Sequence, residues 1–408
     1  MKHNFLIAQS GGPTAAINAT VAGAVARAQL SEQVGTIYGA VNGVKGVLEE
    51  RLVDLGAQLS SPEALSLFSR TPGAGLGSCR LKLKSLETDR AQFSRILEVF
   101  RKYDVGCFVY VGGNDSMDTV WKLSQFVREN GLDVRVMGAP KTIDNDLCGT
   151  DHTPGFGSAA KYVAATFSEL ACDVDVYDVK AVTIVEVMGR DAGWLTASAA
   201  AARLGGNAKP LLVYLPERPF SDERFIDDVR AALAKEDAVI VAISEGIRYA
   251  DGSYVSESTA SGAVDVFGHK YLSGAGKALE RLVREKLGCK VRSIELNLMQ
   301  RCAGHLMSAV DYEESRQLGA MAAEQALCGA SGRMAAVRRL SDAPYRVSYE
   351  TVGIEQVANR VSTVPDRFIS EAGNDVTEAF VRYIAPLIRG EVATEFRDGV
   401  PVHFRLRK

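Results

Sequence analysis

The sequence predicts an α/β protein built on mostly parallel sheets flanked by helices. Three observations carry that expectation. Short apolar runs of strand length alternate with stretches of helical periodicity, the alternation continues to about residue 296, and glycine turns follow several of the runs. At 408 residues and 47% hydrophobic content, the chain has length for two or three domain-sized units.

Phe5–Ser10 reads as a strand because its apolar run is short and ends in a glycine pair, and Thr14–Gln29 reads as a helix from its apolar spacing. Val34–Val41 is rich in β-branched and aromatic residues and reads as a strand; Asp89–Lys102 is a helix before the strand Val105–Val111. Next come the strand Val134–Gly138, the helix Lys161–Cys172 and the strand Ala181–Val187, with a helix expected after Asp191. Leu211–Leu215, Val239–Ser244 and Val291–Leu296 are further strands, separated by helices at Asp222–Lys235 and Gly276–Leu287. The glycine-rich or polar stretches 66–85 and 249–276 read as mobile loops near an active site.

Lysine plus arginine number 47 against 50 aspartate plus glutamate, a formal charge of -3, spread without basic blocks. That pattern argues against nucleic acid or a membrane surface as partner. Seven cysteines without a CxxC pair encode neither a disulfide framework nor a zinc site, which points to a reducing compartment. No apolar span approaches twenty residues and the N-terminus lacks a signal-like pattern, so a cytoplasmic protein is expected.

Parallel sheets place ligands at the carboxyl ends of their strands, so the turns after strands matter most. Ser10-Gly11-Gly12-Pro13-Thr14 is a strand-end glycine pair that opens a helix, where free N–H groups and the helix dipole favour an anion. An ordinary tight turn would look the same, and the pattern is neither Walker A nor the dinucleotide fingerprint. Gly112-Gly113-Asn114-Asp115-Ser116 adds a carboxylate that could meet magnesium, or simply cap a helix. Pro140-Lys141-Thr142-Ile143-Asp144-Asn145-Asp146 gathers two carboxylates and one ammonium in six residues. Such a loop supplies a base, a phosphate partner and anchors for sugar hydroxyls, or is a solvated turn.

These three motifs and Glu186-Val187-Met188-Gly189-Arg190, in that order, resemble the phosphofructokinases from about Phe5 to Gly329; Val364-Pro365-Asp366-Arg367-Phe368 is similar to the pyrophosphate-using branch. The resemblance implies two Rossmann-like lobes: a larger donor-binding lobe at 1–138, and a smaller sugar-phosphate lobe at 139–329 whose chain crosses back to the first. A segment at 330–408 would pack on the body. It further implies that Gly11, Gly12, Gly113 and Arg80 hold the donor phosphates and that Asp144 is the general base. Thr142, Ile143, Asp146, Met188, Gly189 and Glu245 would line the sugar-phosphate site, with Arg190 also meeting developing charge. Arg292 and Arg301 would grip the 6-phosphate, Arg292 from a neighbouring subunit of a homodimer or homotetramer. Surface ion pairing is the ordinary alternative for these arginines.

In the ATP-using branch glycines stand where this chain has Asp115 and Lys141. A side chain at Asp115 occupies space that ATP would need and repels a third phosphate. Lys141 adds positive charge beside the leaving phosphate, where stabilisation governs phosphoryl transfer. Both changes point to pyrophosphate as donor and fructose 6-phosphate as acceptor, with Mg2+ as cofactor and Asp115 and Asn114 as candidate ligands. Asn114 stands where much of the family has a magnesium-binding aspartate, which leaves ligation to Asp115, to water or to pyrophosphate oxygens. No arginine stands near Lys180 or Ala181, and Leu298 replaces a substrate-contacting histidine, so sedoheptulose 7-phosphate stays open as an acceptor. The competing expectations are an ATP-dependent kinase and a non-catalytic regulatory subunit. A nicotinamide-binding dehydrogenase is suggested only by the strand–glycine turns, since this chain lacks the fingerprint spacing and the acidic residue about 20 positions later. The cluster 268–272, followed by Ser273-Gly274, reads as a loop before a helix or as a phosphate cover.

Overall fold

Residues 2–176, 178–206, 209, 211–258 and 274–408 are described by a computed structural model. The cluster 268–273 therefore lies outside the described residues. The principal strands, in chain order, are β1 (His3–Gln9), β2 (Val34–Ala40), β3 (Leu52–Asp54), β4 (Val105–Gly112), β5 (Arg135–Pro140) and β6 (Ala181–Val187). They continue as β7 (Leu211–Tyr214), β8 (Ala238–Ser244), β9 (Lys290–Glu295), β10 (Arg333–Asp342) and β11 (Tyr345–Gly353).

The larger sheet runs β11-β10-β5-β4-β1-β2-β3 and the smaller one β7-β8-β6-β9. In the larger sheet β10, β5, β4, β1 and β2 pair in parallel, while β3 and β11 are antiparallel edges. The smaller sheet is parallel throughout. Central parallel strands are covered on both faces, which is why they read as unbroken apolar runs: Phe5, Leu6, Ile7 and Ala8 are fully buried, as are Phe108, Val109 and Val111.

The strands expected from sequence are all present, with ends moved by a residue or two. Three long helices were not assigned from sequence: Pro62–Arg70, Asn114–Glu129 and Ala309–Leu327. The first takes up the opening of the stretch expected as a loop at 66–85; Ser61 caps it by accepting from the Ala64 N–H. After Asp191 the helix is a single turn, Trp194–Ala197, that tightens into the 3-10 segment Ser198–Gly205.

The lobes are interleaved in sequence. β5 continues to Pro140, two residues past the expected boundary, and the smaller sheet spans residues 181 to 295. Helix Ala309–Leu327 returns to pack on helix Ile17–Gln29 of the first lobe. The crossing is close: a Cβ on Gly23 would lie 2.0 Å from the Arg316 carbonyl oxygen, and one on Gly319 1.8 Å from that of Thr20. The 330–408 segment does more than pack on the body, because β10 and β11 complete the larger sheet. Its later part lies on the second lobe, where Phe368, Phe380 and Tyr383 surround Trp194 with ring centroids 6.1, 6.4 and 5.5 Å away.

Candidate active site

The carboxyl ends of β1, β4 and β5 face those of β6 and β8 across a cleft of about 330 Å³. The turn after β1 forms one wall. Gly11 has φ +76°, and a Cβ there would stand 3.1 Å from Lys141 Nζ; one on Gly12 would stand 3.2 Å from a guanidinium nitrogen of Arg301. The two glycines are thus what lets both cations approach the turn backbone.

Lys141 follows β5 and is only 2% exposed. Its ammonium donates to the Gly12 carbonyl oxygen at 2.6 Å, and its own N–H donates to the Gly112 carbonyl at 2.9 Å. Burial lowers its pKa to about 8 while the Asp144 and Asp146 carboxylates pull the other way. A lysine that reads as a loop residue in sequence is therefore a buried cation held against the first glycine turn.

Asp144 and Asp146 flank Asn145, whose φ of +54° turns the chain between them. Asn145 Oδ1 accepts from the Thr153 N–H at 3.0 Å and its Nδ2 donates to the Tyr383 hydroxyl at 3.3 Å. The Ser362 N–H binds the Asp146 carbonyl at 2.8 Å, so the C-terminal segment fastens this loop from outside. Burial raises the pKa of Asp144, opposed by the charges of Lys141 and Arg190. Burial, followed by the Asp144 charge, lifts Asp146 to about 7. Across the cleft, burial lifts Glu245 to about 7 although its Oε1 accepts from the Gly189 N–H at 3.3 Å.

Among the described residues, three buried polar atoms on the cleft walls find no partner: Thr14 Oγ1, Asp146 Oδ1 and Arg190 Nε. Orphaned groups of this kind suit a site that a polar ligand completes. Arg301, half-buried, has its pKa lowered by burial and by the neighbouring Arg80. The cleft therefore concentrates Arg80, Lys141, Arg190 and Arg301 among the carboxylates of Asp115, Asp144, Asp146, Asp191 and Glu245.

Of the residues expected from sequence, Gly11, Gly12, Arg80, Gly113, Asn114, Asp115, Lys141, Thr142, Ile143, Asp144, Asp146, Met188, Arg190, Glu245 and Arg301 all line this cleft. Gly189 stands beside it through its bond to Glu245. Arg292 is not on its walls; it is exposed on β9, paired in register with Thr183. The Asn114 side chain lies on the cleft wall and is also engaged by the C-terminal segment. Its Oδ1 accepts from the Asn359 N–H at 2.7 Å and its Nδ2 donates to the Arg360 carbonyl at 2.5 Å, which ties helix Asn114–Glu129 to the C-terminal segment.

Among the described residues no group of three metal-binding side chains gathers. Asp115, an exposed carboxylate on the cleft wall, fits a magnesium ion that keeps most of its ligands as water and substrate phosphate. Sequence reasoning also missed Lys82, which reaches Asp115 at 2.9 Å. The signal was present in the alternation Cys79-Arg80-Leu81-Lys82-Leu83-Lys84, which puts Lys82 on the side of Arg80 in an extended chain.

Glycine turns, a buried lysine ringed by arginines and a raised carboxylate pair between two α/β lobes define a phosphotransferase. The chain belongs to the phosphofructokinase family, whose model matches residues 4–326. It is 43% identical over 99% of its length to the pyrophosphate–fructose 6-phosphate 1-phosphotransferase of Xanthomonas campestris pv. campestris, covering 96% of that protein. It is 40% identical, over 100% of its length and 97% of the relative, to the protein of the same name in Halomonas elongata. The crystal structure of the pyrophosphate-dependent phosphofructokinase of Nitrosospira multiformis superposes with a TM-score of 0.90 at 36% identity, covering 99% of this chain and 96% of that one.

Proposed function

We propose that this chain transfers a phosphoryl group reversibly between pyrophosphate and the 1-hydroxyl of fructose 6-phosphate. The observation that carries the reading is the buried ammonium of Lys141 against the Gly12 carbonyl, beside the carboxylates of the Asp144 loop. The names of relatives at 43% and 40% identity over nearly the whole chain support the same donor and acceptor.

In the forward direction the sugar hydroxyl oxygen bonds to one phosphorus of pyrophosphate while Asp144 takes the hydroxyl proton. The bond from that phosphorus to the bridging oxygen breaks, and orthophosphate leaves with the electron pair, its charge met by Lys141 and by the N–H groups of the Gly11-Gly12 turn. The raised pKa of Asp144 suits a base that must both accept and return a proton. Arg190 meets charge on the transferring group. Thr142, Asp146, Met188 and Glu245 orient the sugar, and Arg301 with Arg80 holds phosphate. Magnesium, arriving with pyrophosphate and met by Asp115, would neutralise donor charge.

The exposed position of Arg292, outside its own chain's cleft, supports a homo-oligomer in which it serves a neighbour. No described helix is long and apolar enough to cross a membrane; the cytoplasm is the proposed location. Steady-state rates with pyrophosphate and ATP, each with fructose 6-phosphate and sedoheptulose 7-phosphate, test the reading. Turnover with pyrophosphate and fructose 6-phosphate far above the other pairs is expected. Equal rates with ATP would remove the donor assignment.

A further inference from the structure

The donor end of the cleft is crossed by a contact that the mechanism above does not use. Lys82 Nζ lies 2.9 Å from Asp115 Oδ1, and both side chains are 46% exposed. An ion pair that exposed contributes little to stability, so its place in the fold is the informative property.

Lys82 belongs to the strap that carries Arg80, and Asp115 stands in the first turn of helix Asn114–Glu129. The strap is fastened on both sides of Lys82. Ser78 Oγ donates to the Gly11 carbonyl at 2.6 Å and Ser10 Oγ to the Cys79 carbonyl at 3.2 Å; on the far side Lys122 Nζ donates to the Leu83 carbonyl at 3.1 Å. The Lys82 ammonium thus reaches, from a held backbone, the Asp115 carboxylate on the cleft wall.

We propose that Lys82 is a specificity-determining residue, which with Asp115 forms the end wall of the donor site and sets its length at two phosphates. This rests on pyrophosphate being the donor. Lys82 holds Oδ1 and leaves Oδ2 to the magnesium that arrives with the donor. Without Lys82 the Asp115 carboxylate would repel whatever donor charge the metal leaves uncancelled, on pyrophosphate as on a longer donor. Lys82 cancels that repulsion for a donor that stops short of the pair and offers its ammonium to the outer phosphate. A third phosphate would have to separate the pair, losing the bridge and meeting the carboxylate directly. The end wall discriminates by charge and by space together.

The test compares the parent with Lys82→Ala and Lys82→Arg, using pyrophosphate, inorganic tripolyphosphate and ATP as donors at fixed, saturating fructose 6-phosphate. Lys82→Ala is expected to raise the KM for pyrophosphate about tenfold and to reduce its preference over tripolyphosphate by a similar factor. The KM for fructose 6-phosphate and the melting temperature should stay at parental values, and Lys82→Arg should restore most of the donor affinity. Parental pyrophosphate KM and donor preference in Lys82→Ala would overturn the inference while leaving the donor assignment intact. A parent enzyme inactive with pyrophosphate would overturn the donor assignment itself, and the inference with it.

Discussion

Lys141 shows how burial changes the titration of a common side chain. Its pKa near 8 places its charge change inside the working range, and burial holds Asp144 above the ordinary carboxylate range. Transfer by the proposed route needs Asp144 ionised and Lys141 charged, so kcat/KM for pyrophosphate should rise as Asp144 loses its proton and fall above about pH 8. Lys141→Met keeps the bulk and removes the charge; it should lower turnover by about a hundredfold or more and abolish the limb near pH 8. The fold should survive, since the substitution removes a buried charge and the Asp144 and Asp146 carboxylates beside it, already raised by burial, can take up protons. A pH profile of the variant with that limb intact would assign the titration to another group. The motif itself was legible from the density of charge in six residues, whereas the burial of Lys141 was not. Burial is decided by the Gly11-Gly12 turn, which lies 129 residues earlier in the chain.

At the scale of elements, strands and glycine turns were readable because central parallel strands announce themselves as short apolar runs. Helix Asn114–Glu129 was missed although Met117, Val120, Leu123, Phe126 and Val127 recur at helical spacing and are buried. Its polar opening, Asn114-Asp115-Ser116, drew attention to chemistry and away from periodicity. The fastening of the Asp144 loop could not be read at all, since Asn145 and Tyr383 stand 238 residues apart and no local pattern links them. The Tyr383 hydroxyl serves this loop twice, accepting from Asn145 and donating to the Asp151 carbonyl at 2.9 Å. Tyr383→Phe removes both bonds within a packed cluster and should cost about 1–3 kcal/mol. Urea unfolding measures that loss, and a variant as stable as the parent would show that the loop holds itself.

At the scale of the whole molecule, the larger sheet draws its strands from both ends of the sequence and the smaller sheet is inserted between them. The family resemblance predicted the two lobes, but the contribution of residues 330–408 to the first sheet was hidden, because β10 and β11 resemble an independent hairpin until their neighbour is known. β10 pairs with β5 through Arg333–Met137 and Met334–Gly138, and Met334 is fully buried. A chain ending at residue 329 exposes the β5 edge and the core beneath it, and should be recovered as insoluble or unfolded protein. Recovery of a soluble, cooperative domain by circular dichroism and gel filtration would contradict this.

The tether between Asn145 and Tyr383 also bears on how the enzyme is made. The loop carrying the proposed base emerges from the ribosome long before the tyrosine that fastens it. A nascent chain can form the early strands while its catalytic centre is still loose, and competence arrives only near the end of translation. Messages cut short anywhere upstream of Tyr383 would therefore produce inert polypeptide rather than an unregulated kinase.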